Sequence, residues 1–202
     1  MVNPRLPALA LLLLAACVTP DQPPQGYATL PNDAVTGAGD PTRAAIIGTA
    51  YAFGTPSSLA GQPAAAARAV ANFEYLATEL PYGPRWRGFS GTIGPDFVAG
   101  LTELRPAIGI APNAPAQLVV QSLYAASRAL NAGDQAAAER ALSVPIFTAG
   151  GSATLQRLAA LPPLPRVAAA TARAAQELDR QDRLGSPRGG GGGGGGGGSG
   201  RS

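Results

Sequence analysis

Residues 63–80, with the sequence PAAAARAVANFEYLATEL, decide the fold class of this chain. Apolar side chains recur along this stretch at steps of three and four residues, at Ala66, Val70, Phe73, Ala77 and Leu80. That spacing is typical of an α-helix that buries one stripe of its surface. Pro63 suits the first helical turn, and Pro81 follows the last apolar residue. We therefore predict a helix over residues 63–80, ended by Pro81.

The same spacing recurs on both sides of this stretch. It predicts further helices over residues 41–53, 95–108, 114–131, 134–143, 152–161 and 166–184. Asp40, Asn113 and Asp134 precede three of them and are predicted as N-caps, because their side chains can accept hydrogen bonds from free amides of the first turn. No run of alternating β-branched residues occurs. The sequence thus predicts an all-α domain, a small bundle of five to six helices drawn from these seven ranges.

The sequence also predicts the buried face of the first helix and a break in the third. In the first helix, one broad buried face is predicted from Ile46, Ile47, Ala50, Tyr51 and Phe53. In the helix over residues 95–108, Pro106 is predicted to cause a kink or an early end, because proline lacks the amide that the helix needs.

The chain begins with a short basic start and a leucine run that ends at its single cysteine, Cys17. Arg5 is followed by apolar residues 6–14 and two alanines, the three-part layout of a secretory signal. This run is too short to span a bilayer, which needs about 20 apolar residues. With one cysteine, a disulfide within the chain is excluded.

The segment Leu14-Ala15-Ala16-Cys17 resembles the lipobox of bacterial lipoproteins. The resemblance implies cleavage before Cys17 and lipidation of its sulfur and new amino group. It also implies a bacterial cell-envelope location facing the periplasm, and Val18 after the cysteine favours the outer membrane over the inner. Several acyl chains would give a lasting anchor, because each buried methylene contributes about 0.8 kcal/mol. The alternative is an ordinary cleaved signal in which Cys17 is only a small apolar residue.

The composition divides the chain into four parts. Residues 1–16 form the predicted signal peptide, and residues 17–39, rich in Pro, Gly, Asp, Asn and Gln, form the lipidated cysteine and a flexible tether. Residues 40–185 form the all-α domain. Residues 186–202, which contain an unbroken glycine run, are expected to be disordered, since they have little apolar surface to bury.

The residue inventory excludes several kinds of chemistry. The 15 basic residues are all arginine, and histidine and lysine are absent. Nucleophile pairs that need His or Lys, lysine Schiff bases, and metal sites built on His or Cys are therefore excluded. Acids are few and dispersed, so we expect no metal and no cofactor. The arginines are scattered among acids, which argues against a nucleic-acid partner.

Carboxylates are the one catalytic option that the inventory leaves. Glu74 and Glu79 are the nearest pair of glutamates, but five residues along a helix turn them about 140° apart. A glycan hydrolase acting through one of them is a low-ranked alternative, because the Glu-Ser pattern of all-α peptidoglycan-cleaving enzymes is missing.

The loop after residue 80 carries the most suggestive cluster of side chains. It contains Tyr82, Arg85, Trp86, Arg87 and Phe89. Arginines beside aromatic rings can form cation–π pairs, hold an anionic glycan or headgroup, or anchor a protein interface. The competing interpretation is that Trp86 and Phe89 fold back to cover a gap between thin, alanine-rich helices.

Arg166, Arg173 and Arg180 are spaced by sevens on the last predicted helix, and Asp179 and Arg183 are placed as an i,i+4 pair. We interpret these arginines as a solvated face. The sequence as a whole predicts a lipid-anchored, non-enzymatic helical protein, an adaptor or structural module of the envelope. A lipoprotein that binds an envelope glycan or small anionic ligand through the Arg85-Trp86-Arg87 loop is the main alternative.

Overall fold

The computed structural model describes residues 27–35 and 39–185, and these contain seven α-helices and no strand. The all-α prediction is confirmed, with seven helices in place of five to six. The helices are α1 Pro41–Gly54, α2 Pro63–Tyr82, α3 Ile93–Ile108, α4 Ala116–Asn131, α5 Gln135–Ala141, α6 Gly151–Ala159 and α7 Pro165–Gly185. Short 3₁₀ turns at Pro56–Ser58 and Pro84–Trp86 precede α2 and α3.

Helix α2 is the centre of the bundle, and it packs against α1, α3, α4 and α6. All five residues of its predicted stripe are buried. Burial extends well beyond that stripe, to Ala67, Ala71, Glu74 and Leu76. Neighbours on several sides cover most of the circumference of this helix. Its many alanines have small side chains, which let those neighbours approach closely.

Aromatic rings of α1, α2 and α3 contact one another in the core. The rings of Phe73 and Phe97 stack with centroids 4.8 Å apart, and Phe53 of α1 meets Phe73 edge-on at 6.0 Å. Gly100 makes this approach feasible, because a Cβ there would lie 2.4 Å from Cζ of Phe73. Glycine is thus required at this point of α3 for steric reasons.

Helix α1 starts as predicted but buries a narrower face than expected. The Asp40 side chain accepts hydrogen bonds from the amides of Thr42 and Arg43 at 3.0 and 3.3 Å, which confirms the cap. Ile46 and Phe53 are buried, whereas Ile47 and Tyr51 are 58% and 66% exposed. The broad-face prediction was wrong for these two residues, because α1 contacts its neighbours along a single stripe.

At three helix ends a proline or a cap does not act as predicted. Pro81 lies inside the last turn of α2, so Tyr82, predicted in the loop, is helical. Pro106 likewise lies inside α3, which continues to Ile108 before Gly109 ends it with a φ of 81°. Helix α4 begins after Pro115 without a side-chain cap, so the Asn113 cap was wrong. The Asp134 cap is confirmed by a 2.8 Å hydrogen bond from the Ala137 amide.

Part of the predicted tether lies against the bundle. We call residues 27–35 the N-terminal strap. Within it Ala28 and Ala34 are buried, the Thr29 amide donates to Gln117 Oε1 at 2.6 Å, and Asp33 pairs with Arg128 at 2.9 Å. The strap thus lies along α4, and Arg68 of α2 also donates to the carbonyl oxygen of Ala34. Residues 17–26 and 36–38 of the predicted tether lie outside the described residues.

Candidate functional site

The two large aromatic rings of the predicted loop cluster are buried. Trp86 and Phe89 are 3% and 9% exposed and meet edge to face with centroids 5.1 Å apart. The Trp86 indole N–H donates to Glu79 Oε1 at 3.0 Å. These contacts favour the covering interpretation for both rings, which close the gap between the end of α2 and the start of α3.

Arg85 is held at the start of α1. Its guanidinium lies 4.9 Å from the centre of the Trp86 ring and forms an ion pair with Asp40. Burial would raise the pKa of Asp40, but Arg85 and the capped amides of Arg43 and Thr42 outweigh it and hold the pKa below its usual value. The carboxylate therefore stays ionised and joins α1 to the loop.

Arg87 and Tyr82 remain exposed beside a groove of about 510 Å³. Among the described residues, no carboxylate or other acceptor pairs with Arg87. Tyr82 is 63% exposed and Val98 of α3 is 57% exposed, so apolar surface lies on both sides of the groove. The groove is lined by the ends of α2 and α3 and by Trp86, Phe89, Ser90 and Gly91.

Two hydrogen bonds join helix α7 to the loop. Arg180 donates to the Gly88 carbonyl oxygen at 2.6 Å, and the Ser90 amide donates to Glu177 Oε2 at 3.3 Å. A hydrogen bond from Arg180 lowers the pKa of Glu177. The loop is thus bonded to α7 as well as to the end of α2 and the start of α1.

The heptad arginines of α7 do more than form a solvated face. Arg173 pairs with Asp96 of α3 at 2.6 Å and Arg180 contacts the loop, while Arg166 is exposed. The predicted i,i+4 pair of Asp179 with Arg183 is confirmed at 2.7 Å. Two of the three arginines therefore connect α7 to its neighbours.

The glutamates proposed as catalytic options have structural partners. Glu74 is fully buried, and its two oxygens accept from Nε and Nη2 of Arg105 at 2.9 and 2.7 Å. Burial raises the pKa of Glu74 against the opposing effect of Arg105. Arg105 also donates to the carbonyl oxygens of Pro112 and Ala114, so the pair joins α2, α3 and the loop before α4.

Sequence analysis missed the role of Glu103. Its Oε2 accepts from the amides of Arg166 and Val167 at 2.9 and 3.1 Å, so a side chain of α3 caps the start of α7. The residue before Pro165 is Leu164, whose side chain cannot accept a hydrogen bond, so the sequence indicated only that a local N-cap is missing. The partner in α3 is more than 60 residues away in sequence and could not be read from local pattern.

The described residues bear only in part on the predicted lipid anchor, metal sites and membrane spans. Cys17 lies outside the described residues. Within residues 27–35 and 39–185, no three acidic side chains are grouped closely enough to hold a metal ion. None of the described helices combines the length and the hydropathy that crossing a bilayer requires. No protein-family model, no curated protein and no solved structure matches the chain.

Proposed function

We propose that this chain is a lipid-anchored, non-enzymatic interaction module of the bacterial envelope. Lipid on Cys17 holds it at the membrane, with the outer membrane favoured, and the helical domain presents the groove between α2 and α3 to a protein partner. The observation that carries the proposal is the groove itself. Exposed Tyr82 and Val98 flank it, and Arg87, which has no partner among the described residues, lies at its rim. Arg180 of α7 donates to the Gly88 carbonyl oxygen of the adjoining loop.

The anchor is supported by the residues before the domain. Leu14-Ala15-Ala16-Cys17 fills each position of the lipobox pattern, and Cys17 has no second cysteine with which to form an intrachain disulfide. A thioether-linked diacylglycerol with an added amide-linked chain exceeds the two-chain requirement for stable membrane attachment.

A binding role is favoured over catalysis by the state of the carboxylates. Both oxygens of Glu74 are occupied by Arg105 behind a fully buried side chain, and Glu79 accepts from the Trp86 indole. A general acid must reach the bond that it protonates. Since Glu74 is fully buried and cannot reach a glycan, we assign it a structural role.

The proposal is tested by crosslinking in intact membranes followed by affinity purification. A wild-type chain should enrich a protein partner that a Cys17→Ser variant does not. Tyr82→Ala combined with Val98→Ala should reduce that enrichment severalfold. Tyr51→Ala combined with Leu118→Ala is the matched control, since both residues are exposed and lie outside the groove. Equal enrichment by all four chains would refute the binding role of the groove.

A second candidate is a small anionic ligand or envelope glycan held in the same groove. It is favoured by Arg87 at the rim and by Trp86 in the groove wall. Titration with peptidoglycan fragments should then shift Trp86 fluorescence, and Arg87→Ala should weaken the response. A flat titration curve for the wild-type chain would rule this candidate out.

A further inference from the structure

We infer that the surface beneath the N-terminal strap is a binding site for an acidic peptide segment of a partner protein, and that the strap is a displaceable ligand held there by its own chain. We call this surface, formed by Arg68 of α2 with Gln117 and Arg128 of α4, the strap site. The inference does not depend on the anchor at Cys17. It adds a second interaction surface, which shares no residue with the groove between α2 and α3.

One end of the strap site binds the main chain of the strap. The Thr29 amide donates to Oε1 of Gln117 at 2.6 Å, and the Thr29 carbonyl oxygen accepts from Nε2 of Gln117 at 3.4 Å. A glutamine amide can serve as donor and acceptor at once, so this pairing uses groups that every extended segment carries. This end of the site therefore accepts extended segments of other sequences.

The other end of the strap site binds a carboxylate that a turn presents. Residues 31–34 form this turn, which a 2.9 Å hydrogen bond closes between its first and last residues. Both carboxylate oxygens of Asp33 accept from Nη1 of Arg128, at 3.0 and 2.9 Å, and Arg68 donates to the carbonyl oxygen of Ala34. The site thus selects an extended segment that is followed by an acidic turn.

The charges of the strap site favour an acidic ligand. Arg68 and Arg128 supply two guanidinium groups, and Asp33 is the one carboxylate of the described residues that forms an ion pair with either of them. The guanidinium of Arg68 lies 5.7 Å from the centre of the Tyr124 ring. A partner segment with a second carboxylate in its turn would pair with Arg68, which the strap does not do.

The strap is held mainly by exposed contacts. Within it, only Ala28 and Ala34 are buried. The side chains of Asp33 and Arg128 are 54% and 52% exposed, and ion pairs with that degree of exposure contribute little to stability. The strap can therefore leave the site while the bundle stays folded.

A partner segment can also bury surface that the strap does not cover. A second groove, of about 320 Å³, lies between the strap, α1 and α2, and it is lined by Leu30 and by small residues of both helices. A larger side chain at the position of Leu30 would fill more of this groove. Such further contacts are needed, because the attached strap has an effective concentration of about millimolar at the site.

The inference is tested first by loosening the strap in the purified full chain. Asp33→Arg places a second guanidinium beside Arg128 and should release the strap. Asp179→Arg is the matched control, because Asp179 forms an exposed ion pair with Arg183 on α7. Hydrogen exchange at the Thr29 amide, measured by NMR, should be about fivefold faster in Asp33→Arg than in the wild type or the control. Unchanged exchange would show that this site does not hold the strap and would overturn the inference.

The second test measures binding in trans. The probe is a fluorescent peptide with the sequence of residues 27–35, and its anisotropy is followed as each chain is added. Asp33→Arg should bind the peptide at least about fivefold more tightly than the wild type does, because its own strap no longer competes. A peptide that itself carries Asp33→Arg should not bind to this chain. Equal binding of the two peptides, or binding of neither to any chain, would overturn the inference.

Reversing the charge of the site separates carboxylate recognition from other contacts. Arg128→Glu should release the strap, fail to bind the original peptide and bind the charge-reversed one. Binding of the original peptide as tight as that by Asp33→Arg would contradict the assignment. Sedimentation of the wild-type chain distinguishes the source of the segment. A dimer that Asp33→Arg dissociates would make the strap of a second copy the occupant and would overturn a partner protein.

Discussion

The contact between α2 and α3 differs from the contact between the N-terminal strap and the bundle in how deeply its ion pair is buried. Toward α3, helix α2 buries the stacked Phe73 and Phe97 rings and the ion pair of Glu74 with Arg105, whose side chains are 0% and 13% exposed. Where the N-terminal strap lies on the bundle the contacts are peripheral: Asp33 pairs with Arg128 of α4, and the two side chains are 54% and 52% exposed. An ion pair of similar geometry therefore has different consequences at the two contacts, because the surrounding dielectric differs.

This difference in burial indicates that the stability of the alanine-rich bundle is concentrated where α2 meets α3. Removing one partner of a buried ion pair leaves a charge without water or counterion, whereas removing one partner of an exposed pair leaves it solvated. The α2–α3 face should therefore be intolerant of substitution, and the strap face should be tolerant.

The largest effect is expected for Arg105→Ala. This substitution leaves the buried Glu74 carboxylate without its two hydrogen bonds, and the free energy of unfolding should fall by about 3–5 kcal/mol. Urea denaturation followed by far-UV circular dichroism measures the change. The matched control is Arg128→Ala, which should cost less than about 1 kcal/mol. Similar losses of stability for the two variants would show that burial does not separate the two ion pairs.

Gly100→Ala should have the next largest effect on the same face. The added Cβ would lie 2.4 Å from the Phe73 ring, so the aromatic stack must shift, at an expected cost of about 1–3 kcal/mol. Gly48→Ala is the control, because nothing lies within 4 Å of a Cβ at that helical position. It should stabilise the protein by about 0.5–1 kcal/mol. The same urea titration measures both variants. A change of stability in the same direction for both would contradict the steric explanation for Gly100.

A smaller effect is expected from Tyr75, whose hydroxyl is bonded to Thr42 of α1 at 2.6 Å. Burial raises the pKa of Tyr75 to about 12 from its ordinary value of 10.0. A raised folded pKa means that its stabilising contribution is complete below about pH 10 and is lost as the pH rises toward 12. Tyr75→Phe should flatten the decline of stability measured between these pH values. A decline as steep as that of the wild type would show that Tyr75 is not its source.

The smallest effect is expected for Asp33→Ala on the strap. Both partners of its ion pair are half exposed, so the loss should be about 0.2–1 kcal/mol. Side-chain hydrogen bonds from Arg128 lower the pKa of Asp33, so whatever the pair contributes should disappear as the pH falls below about 4. Urea denaturation at neutral and acidic pH measures the loss of stability and its dependence on pH. A loss as large as that of Arg105→Ala would mean that the strap belongs to the core.

Local signals predicted much of this fold. The apolar stripes of α2 and α7 and the caps at Asp40 and Asp134 involve residues within a few positions of each other, so periodicity and capping rules identified them. Ile47 and Tyr51 were misplaced because both are apolar and lie near the buried stripe, while the neighbours of α1 decide which face is covered.

Contacts between distant residues could not be predicted in the same way. Glu74 and Arg105 are 31 positions apart, and Thr29 and Gln117 are 88 positions apart. The polar composition of the strap resembles that of a free linker. The strap packs because its residues form contacts with α2 and α4, which are distant from it in sequence. In the candidate site, the exposure of Arg87 and the burial of Trp86 depend on the same long-range packing.

The lipid anchor is tested most directly by the intact mass of the chain extracted from bacterial membranes with detergent. We expect a mature protein that begins at Cys17 and carries a diacylglyceryl group on its sulfur and a third acyl chain on its amino group. Cys17→Ser should abolish this species. An unmodified chain, or one that begins at another residue, would contradict the lipid anchor on which the proposed function depends.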